Sequence, residues 1–299
     1  MKIFYSDPFE IPLPDQHRFP MSKYRLLREY LIKEKIARED QLFLSPLCSI
    51  EDLLLAHDPV YIASIKTGNV DHSQFKRIGF PWSPELYIRS CASVGGAKEA
   101  ALYALHFGIG GNLAGGTHHA HYDRGEGFCV FNDIAVVANY LLQNNLVKKI
   151  AIIDLDVHQG NGNSSILNQN SNIFILSIHG EKNYPYQKVS SSLDIGLKDM
   201  AGDREYLEAL NFGMDKIIEF KPDYIFYQMG VDPLKEDRLG TLALSFEGLI
   251  ERDSIVLNYA QRNKIPISLA LGGGYAQPIE LTVEAYANTY RVAKRIYQF

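Results

Sequence analysis

Asp154, Asp156 and His158 alternate with Leu155 and Val157 over residues 153–158. Along an extended chain alternate side chains point the same way, so two carboxylates and an imidazole share one face. Burying such a set is costly without a cation. A catalytic zinc site takes three protein ligands and keeps a position open for water, and mixed carboxylate and imidazole ligation suits it. By itself the triplet would equally suit a solvated strand end. Asp232 in the run 228–232 offers a distant third ligand; alone it reads as a loop aspartate or a helix cap. Gly115-Gly116-Thr117-His118-His119 adds adjacent imidazoles, the natural proton carriers near neutral pH. Its glycines let the backbone approach a substrate closely, although a histidine pair alone also fits a surface position. Leu271-Gly272-Gly273-Gly274-Tyr275 lacks the lysine and the spacing of a phosphate loop. Its useful group is the Tyr275 hydroxyl, which can donate to an oxyanion forming on a carbonyl; the bland alternative is a flexible turn with a packed tyrosine. Taken together, the four segments offer a candidate metal site, proton carriers and a hydroxyl donor.

Such segments need a scaffold that gathers them. Short, wholly apolar runs alternate with longer amphipathic ones. The pattern predicts strands over 2–5, 112–114, 149–155, 172–177, 224–229 and 266–271. It predicts helices over 22–35, 85–107, 133–143, 204–220, 247–262 and 278–296. Apolar strands joined by helices indicate an α/β fold with a mostly parallel central sheet covered on both faces. No repeat, low-complexity tract or linker interrupts the chain, so one domain over 1–299 is expected. In parallel sheets the ligand site lies beyond the carboxyl ends of the strands. Each segment that could do chemistry follows a predicted strand.

The 299 residues are 46% hydrophobic and 22% charged, a globular balance. A chain of this length needs no disulfide or structural metal to fold, which leaves a metal free to be catalytic. The net charge of -5 argues against nucleic acid as the main partner, because phosphate binding wants clustered lysine and arginine. Cys48, Cys91 and Cys129 form no CxxC pair and are odd in number, which suits a reducing cytoplasm. The opening apolar run is broken by Asp7, Pro8 and Glu10, so no signal peptide is expected. No stretch approaches the roughly 20 apolar residues of a membrane helix.

The segments GGTHHAHYDRGEGFCVFND, IIDLDVHQGNG, LSIHG, QMGVDP and LGGGY, in this order, resemble the zinc-dependent histone deacetylase family, with its arginase-deacetylase fold. The resemblance spans 111–275, and HRFPMSKY, from His17, is similar to the family's N-terminal segment. DLDVHQGNG with GGGY looks closest to the class IV branch and its bacterial relatives. The resemblance implies one zinc ion on Asp156, His158 and Asp232. It implies His118 and His119 as the catalytic pair, with His119 the main base and acid, Asp154 orienting His118, and Tyr275 polarising the carbonyl. Phe128 and Tyr184, with Gly127 and Gly273, would line the substrate tunnel. A structural monovalent cation, usually potassium, would sit on Asp154, Asp156, His158, Ser177 and Ile178. Asn161 stands where class I members carry a second aspartate, as in classes II and IV. It would accept a hydrogen bond from His119 but bring no charge.

The implied activity is removal of acetyl or longer fatty acyl groups from lysine side chains of proteins or peptides. A small acylated amine such as an acetylpolyamine is the alternative substrate, and the acidic net charge suits either cation. An arginase-like enzyme with two manganese ions would want an aspartate two residues after His158, where Gly160 stands. An inactive binding module would have lost ligands, and every expected position is filled.

Overall fold

Strands that are buried on both faces are mostly apolar, and three central ones are. The computed structural model describes residues 1–15, 17–69 and 71–299. Its strands are β1 (Lys2–Tyr5), β2 (Leu42–Leu44), β3 (Ile109–Asn112), β4 (Ile150–Asp154), β5 (Ile173–Gly180), β6 (Leu193–Leu197), β7 (Tyr224–Gln228) and β8 (Ile267–Ala270). Every residue of β4, β7 and β8 is buried. The strands form one sheet in the order β2-β1-β3-β8-β7-β4-β5-β6, and all neighbours run parallel.

Alternation along each strand feeds two cores. Ala151, Ile153, Ile225 and Tyr227 face one core, together with the helices Ser22–Lys33, Asp203–Phe220, Phe246–Arg262 and Ile279–Tyr297. Ile150, Ile152, Tyr224 and Phe226 face the other, with the helices Pro84–Phe107 and Asp133–Gln143. This is one α/β domain with helices on both faces, as the strand pattern implies. No helix among the described residues is long and apolar enough to cross a membrane.

The strand expected over 112–114 lies instead at Ile109–Asn112. Gly110 and Gly111 read as a turn, but they are strand residues crowded by their neighbours. A Cβ on Gly110 would stand 2.1 Å from the Ala100 carbonyl oxygen in the Pro84–Phe107 helix. The unpredicted strands β2 and β6 are the two edges of the sheet. β2 has only three residues, and β6 is half-buried and exposed by turns.

Strands β3, β8, β7 and β4 are consecutive in the sheet. The four chemistry-bearing segments follow these four strands, which is why they meet. His57 braces this end of the molecule. Its Nδ1 donates to the His121 carbonyl at 2.9 Å and its Nε2 accepts from the Asn132 backbone at 2.8 Å. Asn132 in turn caps the Asp133–Gln143 helix and holds the Ala120 carbonyl. Burial lowers the His57 imidazole to about 4. Between its ordinary 6.5 and 4, the unfolded chain takes up a proton that the folded chain refuses. Stability is therefore lost as pH falls through that window, by about 3 kcal/mol at most. Urea unfolding at neutral and mildly acid pH should show a smaller acid loss for His57→Gln than for the parent. Equal losses would contradict this.

Candidate active site

β4 ends at Asp154, and the chain then bends over residues 156–158 instead of continuing as strand. Leu155 and Val157 sink into the core, which holds the polar residues between them at the sheet's end. His158 Nδ1 lies 3.0 Å from Asp156 Oδ1 and 3.0 Å from Asp232 Oδ2. One donor atom from each of the three lies within 4.8 Å of the others. Backbone amides fix the carboxylates: Gly273 N donates to Asp156 Oδ2 at 2.6 Å, and Val157 N to Asp232 Oδ1 at 2.9 Å. Only glycine fits at 273, where a Cβ would stand 1.8 Å from Asp232 Oδ2.

The electrostatics of this cluster call for a cation. Burial alone would lower the His158 imidazole, but Asp156 and Asp232 prevail and raise it to about 10. Burial, then Asp156, raises the Asp232 carboxyl to about 7. The His158 Nδ1 thus stands between two buried carboxylates that repel one another. Three converging oxygen and nitrogen donors fit a divalent ion such as zinc, which would supply the compensation.

The histidine pair sits beside the cluster. His118 Nδ1 is 2.8 Å from Asp154 Oδ2, and His119 Nδ1 is 2.7 Å from Asn161 Oδ1. The two rings lie 4.1 Å apart. Burial opposes charge on His118, but Asp154 and Asp156 outweigh it and hold the imidazole above its ordinary range. Burial, then His118 and His158, pushes His119 well below. The two rings are therefore pushed in opposite directions, and His119 is the one that stays neutral and able to accept a proton.

Tyr275 lies across the cavity. Burial, then Asp232 and Asp156, keeps its phenol protonated and so a donor. Its backbone amide is held by Asp237 at 2.6 Å. The buried Lys23 ammonium reaches the Gly272 carbonyl at 3.2 Å and lies 5.0 Å from the Tyr275 ring centre. A cavity of about 460 Å³ opens onto His118, His119, Asp156, His158, Gly273 and Tyr275, walled by Phe19, Gly127, Phe128 and Tyr184. Phe128 adopts the left-handed conformation at φ 63°, unusual for a bulky residue. A 2.7 Å bond from its amide to the Ile78 carbonyl secures it.

The structure gathers every residue singled out for metal, proton transfer or tunnel. Ser177 pairs in register with Asp154 across β4 and β5, with Ile178 next along β5. Four residues without a spacing signal also build the site. Asp133 binds the Gly116 and Thr117 amides at 3.0 and 2.9 Å, ahead of the histidines. Lys23 and Asp237 hold the Gly272–Tyr275 loop. Glu126 stands behind Asn161, its Oε1 2.6 Å from Asn161 Nδ2. Asn161 itself brings no charge, and the carboxylate of Glu126 stands one side chain behind it.

A family profile for the histone deacetylase domain matches residues 17–290. An uncharacterized protein of Picosynechococcus is 37% identical over 296 residues, covering 99% of both chains. Histone deacetylase 2 of Arabidopsis thaliana is 29% identical over 289 residues, covering 92% of this chain and 74% of the plant protein. A crystal structure of a histone deacetylase homolog from Aquifex aeolicus superposes with a TM-score of 0.82 at 23% identity, covering 99% of this chain and 88% of that one. With its buried Asp156-His158-Asp232 cluster beside a histidine pair, the chain belongs to the histone deacetylase domain family.

Proposed function

We propose that this protein is a zinc-dependent deacylase that hydrolyses the amide of acyl-lysine in peptides or proteins. The observation that carries the reading is the convergence of Asp156, His158 and Asp232 next to two histidines held by Asp154 and Asn161, with Tyr275 lining the same cavity. A bound zinc ion would supply Lewis acidity toward the carbonyl and the attacking water. The rest falls to the chain's own side chains. His119, neutral and held at Nδ1 by Asn161, takes the water's proton at Nε2. Tyr275 donates to the oxyanion. A histidine, His119 by its position, then returns a proton to the leaving amine. Phe128 and Tyr184 flank the lysine stem and keep water from it.

A single metal ion is favoured over a pair. A Cβ at Gly160 would stand 2.3 Å from Asp154 Oδ2, so the further aspartate of a two-manganese site has no room. The cysteines are free thiols, which supports a cytoplasmic setting.

The mouth favours a peptide over a polyamine. Arg18, Arg77 and Lys182 line it and are exposed, with Lys182 paired to Asp199 at 3.3 Å. Among the described lining residues the only carboxylate is the buried Asp156. Local charge of this sign repels a polycation even though the whole chain is acidic. Acyl release from acetyl-lysine peptides should be abolished by a chelator and restored by zinc. Turnover that ignores the chelator would refute the metal mechanism. Acetylpolyamines should be processed with kcat/KM about 10-fold or more below an acidic-flanked acetyl-lysine peptide at low salt. Equal or better polyamine turnover would reverse the substrate assignment.

A further inference from the structure

We propose that Glu126 sets the direction in which the Asn161 amide faces His119, making it a positioning residue for proton transfer. The kinetic part of this inference rests on the deacylase reading; the geometric part does not.

An asparagine amide has a donor end and an acceptor end of nearly the same shape. With Oδ1 toward His119, as here at 2.7 Å, Nδ1 carries the ring proton and Nε2 keeps its lone pair. With the amide reversed, NH2 would face Nδ1. The proton would move to Nε2, and the ring could no longer act as a base from that atom. Nothing in Asn161 itself chooses between these states. Its NH2 group touches two partners, Glu126 Oε1 at 2.6 Å and His121 Nε2 at 3.2 Å.

His121 cannot make the choice. Its Nε2 also lies 3.4 Å from Glu126 Oε1, and its Nδ1 faces the Ser165 hydroxyl at 2.7 Å, so the ring answers to the carboxylate and does not decide for Asn161. An ionised carboxylate only accepts. Glu126 therefore compels Asn161 to present NH2 to it and Oδ1 to His119. Burial works against ionisation of Glu126, but hydrogen bonds from His121 and Asn161 prevail and hold its carboxyl at about 2. The Tyr184 phenol beside the same carboxylate also favours its ionised form. The line His119–Asn161–Glu126 also sets a negative charge one amide behind the imidazole.

The test exploits donor and acceptor polarity. In Glu126→Gln the new amide can donate as well as accept, so Asn161 is free to reverse. We expect kcat to fall about 10-fold with KM and zinc content unchanged. In Asn161→Asp two acceptors meet at the 126–161 contact, and kcat should again fall. In the double variant glutamine donates to aspartate and aspartate accepts from His119, so most of the turnover should return. Losses that simply multiply in the double variant would overturn the proposal. Nitrogen NMR of isotope-labelled histidine in the same zinc-loaded proteins gives a readout independent of turnover. His119 should carry its proton on Nδ1 in the parent and the double variant, and be mixed in Glu126→Gln. An unchanged tautomer in Glu126→Gln would overturn the proposal. A parent protein that releases no acyl group would refute the deacylase reading instead, and the NMR comparison would then decide the role of Glu126 alone.

Discussion

Asp232→Asn is expected to lose zinc and acyl-release activity together while keeping its fold. The side chain is fully buried, and its Oδ2 is one of the three converging donors. Its Oδ1 also accepts from Val157 N at 2.9 Å, a bond that an asparagine carbonyl can keep. Changing a residue that merely supports a metal ligand typically weakens binding by 10–100-fold, and loss of a ligand charge should exceed roughly 100-fold. The metal-free variant should be no less stable than the metal-free parent, because one of two buried like charges is gone. Zinc should raise the melting temperature of the parent far more than that of the variant. Metal analysis after dialysis, with thermal melts at matched zinc, checks both points. Stoichiometric zinc and normal turnover in Asp232→Asn would remove this residue from the metal site.

Tyr275→Phe separates oxyanion stabilisation from metal binding. The ring is positioned by neighbours that remain: Asp237 on its backbone amide, the Lys23 ammonium at 5.0 Å and Phe128 at 6.2 Å between ring centres. Deleting the hydroxyl therefore disturbs little packing. Loss of one oxyanion donor usually costs on the order of 10²–10³ in rate. The loss should appear in kcat, with KM little changed, because the bond is strongest to the charge that develops during reaction. Zinc content should stay at the parental level. Near-normal turnover would assign the polarising role elsewhere.

The long helices and the central strands were legible because burial on both faces of β4, β7 and β8 favours mostly apolar runs, and an amphipathic helix must repeat its apolar positions. That Asp156, His158 and Asp232 meet beside the histidine pair was legible only from the segments taken together and the family they resemble, since each alone also suited a strand end, a loop or a cap. Other features left no local mark. Gly110 and Gly111 resemble a turn until the Pro84–Phe107 helix is laid against them. The Asn161–Leu167 helix is built from glycine, asparagine and serine, poor helix formers that tertiary contacts override. Lys23, Asp133, Asp237 and Glu126 act on backbone amides, carbonyls or side chains brought near by folding. Asp133 holds residues 16 and 17 positions away, and Lys23 holds Gly272 from the other end of the chain. Charge at the mouth was hidden as well, since a net charge of -5 conceals the exposed Arg18 and Arg77 at one opening.

Diffraction from zinc-grown crystals, recorded on both sides of the zinc absorption edge, tests the central claim most directly. We expect a single anomalous peak bounded by Asp156, His158 and Asp232, facing His119 and Tyr275. An ion seated elsewhere, two ions side by side, or no peak in that cluster would contradict the account.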